Sequence, residues 1–303
     1  LFQGCDLLPR LNYLMEIYFH TMRKSIIDPL LEFFDLTGRA IFSFELSKRW
    51  FVAVMYGLVC HVIFSVSVLS MILAMFWGMS QSFGKVPYPW SHIANLILLL
   101  QFPLAHSFLL SSKGKSYLLY FAPKEYSKIL SSTTFALLAS IQLFLLFCFW
   151  TPSNIIIWEP EGRTYILMCI LYGSSWLLLI WASLDAGAEL QSGALGWMSL
   201  AQNKTPKFPD MPTIGLFKYI RQPIYLAFAL TTWTTPIWTL DQWLIASIFT
   251  FYCYFAPKFK EKRFEKRFGQ KFVDYKSNVP YMVPGFKLKK IILKKINRHF
   301  SQK

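Results

Sequence analysis

The sequence predicts an all-α, polytopic membrane bundle of about six membrane helices, including a short C-terminal hairpin, with amphipathic helices at both ends. Three observations carry this expectation. Of 303 residues, 54% are hydrophobic and only 16% are charged, which is too apolar for a water-soluble domain of this size. Four apolar runs are each long enough to cross the hydrocarbon core of a bilayer. The charges gather in loops and at the C-terminus instead of spreading along the chain.

The elements follow in chain order. The opening LFQG (1–4) reads as a protease-site remnant and is set aside. No signal peptide is expected, because Arg10, Glu16, Arg23 and Lys24 interrupt the first apolar stretches. Residues 11–47 carry apolar positions at helical spacing among charges and predict two amphipathic surface helices, broken by Pro29 and Gly38. Runs 51–77, 92–110, 132–150 and 164–184 predict four spans. A polar loop (187–221) precedes the apolar stretch 224–256, which Pro236 and Asp241 divide. Its arms have about 13 and 16 residues, or roughly 20 and 24 Å at helical rise. Both fall short of the roughly 30 Å hydrocarbon thickness, so a tight helical hairpin is expected, suited to walling a cavity. The division into units is then 1–47 (surface helices), 48–286 (membrane core) and 287–303 (basic amphipathic tail).

Loop charges orient the bundle. Net charge is +15, and residues 257–303 hold fifteen Lys/Arg against three acids. Lys48, Arg49, the 111–130 loop, the 187–221 loop and the tail are basic, whereas 78–91 holds only Lys85. The positive-inside rule then puts both termini in the cytoplasm. The basic tail faces anionic lipid; no recognition motif accompanies the charge, so a lipid bilayer and not nucleic acid is the expected partner. The five cysteines are scattered, without zinc-like spacing, and no metal site is expected.

Candidate chemistry centres on GLFKYIRQPIYLAF (215–228), which places Arg221, Gln222 and Pro223 at the mouth of the hairpin. Pro223 suits a first helical turn, and Tyr225, four residues after Arg221, is expected on the same helix face. A helix N-terminus with an adjacent Arg favours a carboxylate. The second arm of the hairpin leads to Glu261, an acid among many Lys and Arg. His106 lies within a span, where an ionisable side chain is costly; it reads either as a catalytic base or substrate contact, or as a core histidine bonded to a carbonyl. His61 reads as structural. Asp185 and Glu189 sit at a helix end, as solvated charges or acceptor contacts. Trp233 and Trp238 fit an interfacial belt or an acceptor-binding wall.

Gly215, Arg221, Pro223 and Tyr225, with an acid eight residues before Gly269, resemble the C-terminal core of the isoprenylcysteine carboxyl methyltransferase superfamily, which includes NnrU-like proteins. The wider match, over roughly 48–286, is to the bacterial membrane methanethiol S-methyltransferase group. PLAHSFLL (103–110), FALTTWTTPIWT (228–239), Tyr275 and VPYMVP (279–284) take part in it. The resemblance implies S-adenosylmethionine as cofactor, with Arg221, Gln222, Tyr225 and Glu261 as its contacts, and a small thiol or lipophilic acceptor that arrives through the membrane. Two departures stand out. Gln222 occupies a position that is usually His in the family. SLDAGAELQSGALGW (183–197) keeps acids but lacks the His of the thiol enzymes. A haem-dependent NnrU-like isomerase and a non-catalytic membrane subunit with a decayed cofactor site are the competing readings.

Overall fold

The computed structural model describes residues 26–42 and 47–283. The expected basic tail (287–303) and the first part of the N-terminal surface region lie outside the described residues.

The architecture is an all-α polytopic membrane bundle. Helix α1 (Asp28–Phe42) precedes the bundle and packs against a short buried helix described below. Gly38 does not break it, and Pro29 stands at its start. Pro29 lies in the first turn, where its missing N–H costs no intrahelical bond, and a lone glycine weakens a helix by only about 1 kcal/mol. Exposed Leu31, Phe34 and Ile41 leave an apolar face on α1.

Among the described residues four helices are long and apolar enough to cross a membrane: α2 (Lys48–Phe76), α3 (Trp90–Leu109), α5 (Ser127–Phe149) and α6 (Gly162–Asp185). A short α4 (Ser112–Leu118) joins α3 to α5. Ser47 starts α2 by accepting a bond from the Trp50 N–H, which satisfies one of the helix's orphan donors. α2 and α3 both pack against α5. Asn95 of α3 stitches the ends of α3 and α5 together: it donates to the Thr151 carbonyl at 2.8 Å and accepts from the Thr151 N–H at 2.9 Å.

The 187–221 region is not only a polar loop. It holds the one-turn α7 (Ala188–Gln191) and α8 (Ala194–Ala201), and α8 is buried. The apolar sequence ALGWMSLA is too short to span, so it lies in the groove formed by α1, α2 and α5. Thr133 of α5 holds it by donating to the Gly193 carbonyl and accepting from the Trp197 N–H. Gly57 of α2 makes room for it, because a Cβ there would sit 2.5 Å from the Trp197 ring.

The hairpin is formed by α9 (Pro223–Trp233) and α10 (Leu240–Phe268). The first arm is eleven residues long, shorter than its apolar run, because the chain leaves the helix before Pro236. The second arm continues past the apolar run as one 29-residue helix containing Pro257, and so carries Glu261 rigidly from the bundle. The last helix among the described residues is α11 (Gln270–Asn278).

The tip of the hairpin is tied to the loops at the far end. Strand β1 (Ile156–Trp158) pairs antiparallel with β2 (Trp238–Thr239). The Asp241 carboxylate accepts from the Ser153 N–H at 2.8 Å and from its hydroxyl at 2.7 Å. Gln242 closes the turn by donating to the Thr232 carbonyl at 2.7 Å. Asp241→Ala is expected to cost about 1–3 kcal/mol, because the Ser153 donors lose a buried acceptor. A lowered melting temperature in detergent would register this, and no change would show that water replaces the carboxylate. Met75, Phe102, Phe147, Trp150 and Phe249 form the bundle core between these ends.

Candidate functional site

The motif and the acid meet at the basic end of the hairpin. Arg221 Nε donates to Glu261 Oε1 at 2.9 Å and Arg221 Nη2 to Oε2 at 3.4 Å. Gln222 Nε2 donates to Glu261 Oε1 at 2.8 Å. The Arg221 and Glu261 side chains are 10% and 9% exposed, so this pair is screened little by solvent. The Gln222 Oε1 atom is buried with no hydrogen-bond partner among the described residues.

The local sequence explains these positions. Gln222 is the N-cap of α9 and Pro223 its first residue. Proline disfavours helical geometry in the residue before it, so the helix cannot extend back to Arg221. Arg221 therefore precedes α9 and does not share its face with Tyr225, contrary to the spacing argument. This frees the Arg221 backbone and side chain to reach the opposite segment. The Arg221 and Gln222 N–H groups donate to the carbonyls of Pro280 and Tyr281 at 2.9 and 3.2 Å. The Arg221 Nη1 donates to the Lys276 carbonyl at 3.0 Å and to that of Val279. A cation at the C-terminal carbonyls of α11 also opposes the negative end of the helix dipole.

In the 215–218 turn just before this motif, the Leu216 N–H donates to Asp185 at the end of α6 at 2.7 Å. Gly215 sits beside it at φ +55°, and a Cβ there would lie 2.2 Å from both carboxylate oxygens. Sequence inspection singled out both residues, but nothing in their spacing linked them. The Tyr275 hydroxyl donates to the Phe217 carbonyl at 2.6 Å. Burial, chiefly, keeps that phenol protonated by raising its pKa.

A cavity of about 10 Å³, room for a single water, lies at the centre of the site. Phe217, Arg221, Gln222, Lys260, Phe272 and Tyr275 are among its lining residues. Lys260, Phe217 and Phe272 were not sequence candidates, because only the folded chain brings the 215–218 turn against α10. The ring of Tyr225 lies 5.8 Å from the Lys260 ammonium.

The other candidates lie elsewhere. His106 on α3 stacks with Phe102 and Phe135, with centroids 5.1 and 4.8 Å away, and its Nδ1 is buried without a partner among the described residues. Phe102 continues this aromatic chain to Tyr252 of α10. His61 accepts from the Trp197 indole at 2.9 Å, anchoring α8. Trp233 ends α9, eight residues or roughly 12 Å of helix beyond Tyr225. Its indole donates to Thr250 at 2.6 Å, and its ring packs on Trp238. Glu189 lies on α7, its carboxylate beside Gly187.

Fold and site together define a multi-pass membrane protein whose short hairpin holds a buried Arg–Gln–Glu cluster at its basic end. Comparison with known proteins places it further. The chain is 30% identical over 195 residues to methanethiol S-methyltransferase 2 of Bradyrhizobium diazoefficiens, covering 63% of this chain and 73% of that protein. It is 26% identical over 257 residues to methanethiol S-methyltransferase 1 of the same organism, covering 82% and 86%. It is 27% identical over 200 residues to the methanethiol S-methyltransferase of Mycobacterium tuberculosis, covering 63% and 78%. No family profile and no solved structure matches the chain. The chain belongs to the methanethiol S-methyltransferase family, a family of membrane methyltransferases.

Proposed function

We propose that this protein takes S-adenosylmethionine at Arg221, Gln222, Tyr225 and Glu261 and methylates a small thiol or another small lipophilic acceptor. The observation that carries the reading is the buried cluster of Arg221, Gln222 and Glu261 at the start of α9, with Gln222 Oε1 left without a donor among the described residues. An amino-acid moiety needs acceptors for its ammonium and donors for its carboxylate. Glu261 and Gln222 Oε1 suit the first, and Arg221 with the N-terminal end of α9 suits the second. The residues therefore fit the group, although the cavity must widen to admit a ligand of that size.

When bound, S-adenosylmethionine supplies an electrophilic methyl group on a sulfonium. The protein's part is to orient the reactants and exclude water. A thiol acceptor must also lose its proton. His106 is the proposed acceptor of that proton at Nδ1, a ring nitrogen without a partner among the described residues. Trp233, Asp185 and Glu189 are the proposed acceptor contacts, although Asp185 already anchors the 215–218 turn. Residues 48–286 form the methyltransferase core of a bacterial inner-membrane protein, with both termini and the Arg221–Glu261 site facing the cytosol. The support for this orientation is the basic loops.

Calorimetry of S-adenosylmethionine with the purified protein tests the reading. Tyr225→Phe is expected to weaken binding roughly tenfold, equivalent to one lost polar contact of about 1.4 kcal/mol. Absence of binding to the unaltered protein would sink the proposal, as would unchanged affinity in both Tyr225→Phe and Glu261→Ala. Transfer of a labelled methyl group to methanethiol, set against transfer to lipid extracts, identifies the acceptor class.

A further inference from the structure

The geometry points to a sulfonium-receiving aromatic box formed by Phe217, Tyr225 and Phe264, which Lys260 fills with its own ammonium until a cationic ligand displaces it. This inference rests on the S-adenosylmethionine reading of the site and extends it to the part of the ligand that carries the charge.

Three rings from three different elements surround one nitrogen. Lys260 Nζ lies over Phe217 of the 215–218 turn at 5.7 Å from the centroid, over Tyr225 of α9 at 5.8 Å, and over Phe264 of α10 at 5.3 Å. Each distance is within the range at which a cation is held by the negative face of an aromatic ring. Phe264 alone would be an ordinary helical neighbour of Lys260, four residues along. The convergence of the other two rings is tertiary. Phe217, Phe264 and Lys260 also line the small cavity with Arg221 and Gln222. The box is therefore continuous with the proposed amino-acid subsite.

An aromatic box of this kind does not distinguish an ammonium from a sulfonium, but it does distinguish either from a neutral thioether. Two cations cannot share it, so the lysine and the methyl donor compete. Lys260 lies on the polar extension of α10, beyond Pro257. Burial lowers its pKa to about 8; Glu261 offsets this in part and Arg263 adds to it. The resident ammonium is thus held at a desolvation cost, and its flexible stem can carry it out to water. After methyl loss the cofactor product is a neutral thioether, which cannot keep the lysine out. Lys260 then favours exchange of product for fresh donor.

Calorimetric affinities for S-adenosylmethionine and S-adenosylhomocysteine, measured side by side, test this. Lys260→Met is expected to raise the preference for the sulfonium form over the thioether roughly tenfold, by removing the competing cation. Phe264→Leu is expected to reduce that preference. A lysine that merely packs, or that binds the ligand's carboxylate, would shift both affinities by the same factor, and that result would overturn the inference. Trimethylsulfonium, detected by saturation-transfer NMR, separates the box from the cofactor reading. Binding to Lys260→Ala but not to Lys260→Ala/Phe264→Leu supports the box even if S-adenosylmethionine fails to bind. Equal binding, or none, to both variants overturns the box even if S-adenosylmethionine does bind.

Discussion

Glu261→Ala is expected to abolish methyl-donor binding and to destabilise the protein by about 3–5 kcal/mol, the usual effect of leaving one member of a buried ion pair without its partner. Glu261 accepts from both Arg221 and Gln222, and all three are largely buried. Its loss strands a guanidinium that also holds the end of α11 through the Lys276 and Val279 carbonyls. Arg221→Met/Glu261→Met separates the two effects. Replacing both charges with apolar groups of similar size is expected to restore much of the stability, yet not the binding. Thermal unfolding in detergent reads the first effect and calorimetry the second. Recovery of binding in the double variant would show that the cluster is a structural latch only.

Gly215→Ala has the second largest expected effect, a loss of about 2–4 kcal/mol. A left-handed backbone costs an L-residue roughly 1–2 kcal/mol, and the displaced Asp185–Leu216 hydrogen bond adds about 1–2 kcal/mol. The structure gives both reasons: φ is +55°, and the new Cβ would overlap the Asp185 carboxylate at 2.2 Å. Because the two residues share one contact, Gly215→Ala/Asp185→Ala is expected to lose less stability than the sum of the single changes. Strict additivity would show that the carboxylate yields easily. The turn carries Phe217 into the cavity wall, so Gly215→Ala is also expected to weaken donor binding.

The membrane helices were legible because their signal is local. A run of about twenty apolar residues can bury its backbone in lipid only as a helix, whatever its neighbours do. The hairpin was legible for the same reason, since Pro236 and Asp241 interrupt its apolar run. The buried α8 was not, because a mostly apolar stretch of eight residues beside lysines looks the same in a loop as in a groove. Gly57, the space that admits Trp197, lies 140 positions away. Gly38, inside α1, misled for a related reason: a breaker's cost depends on its place in the turn and on what packs beside it.

At the candidate site, the motif and the resemblance it carries singled out Arg221, Gln222, Tyr225 and Glu261 as candidates, and the hairpin returns Glu261 to hydrogen-bond distance of the first two. Spacing did not reveal that Arg221 precedes the helix, a consequence of the restriction that Pro223 imposes on Gln222. It did not reveal the strap of residues 279–281, nor Lys260 inside three aromatic rings.

What the sequence determined by itself was the class of structure and the family, because apolar length and short motifs are properties of contiguous chain. What only the tertiary structure decided was which side chains share a pocket. Phe217, Tyr225 and Lys260 meet because a turn, a helix start and a helix extension pack together. No local preference of any one of those segments specifies that meeting; it comes from burying their faces against one another.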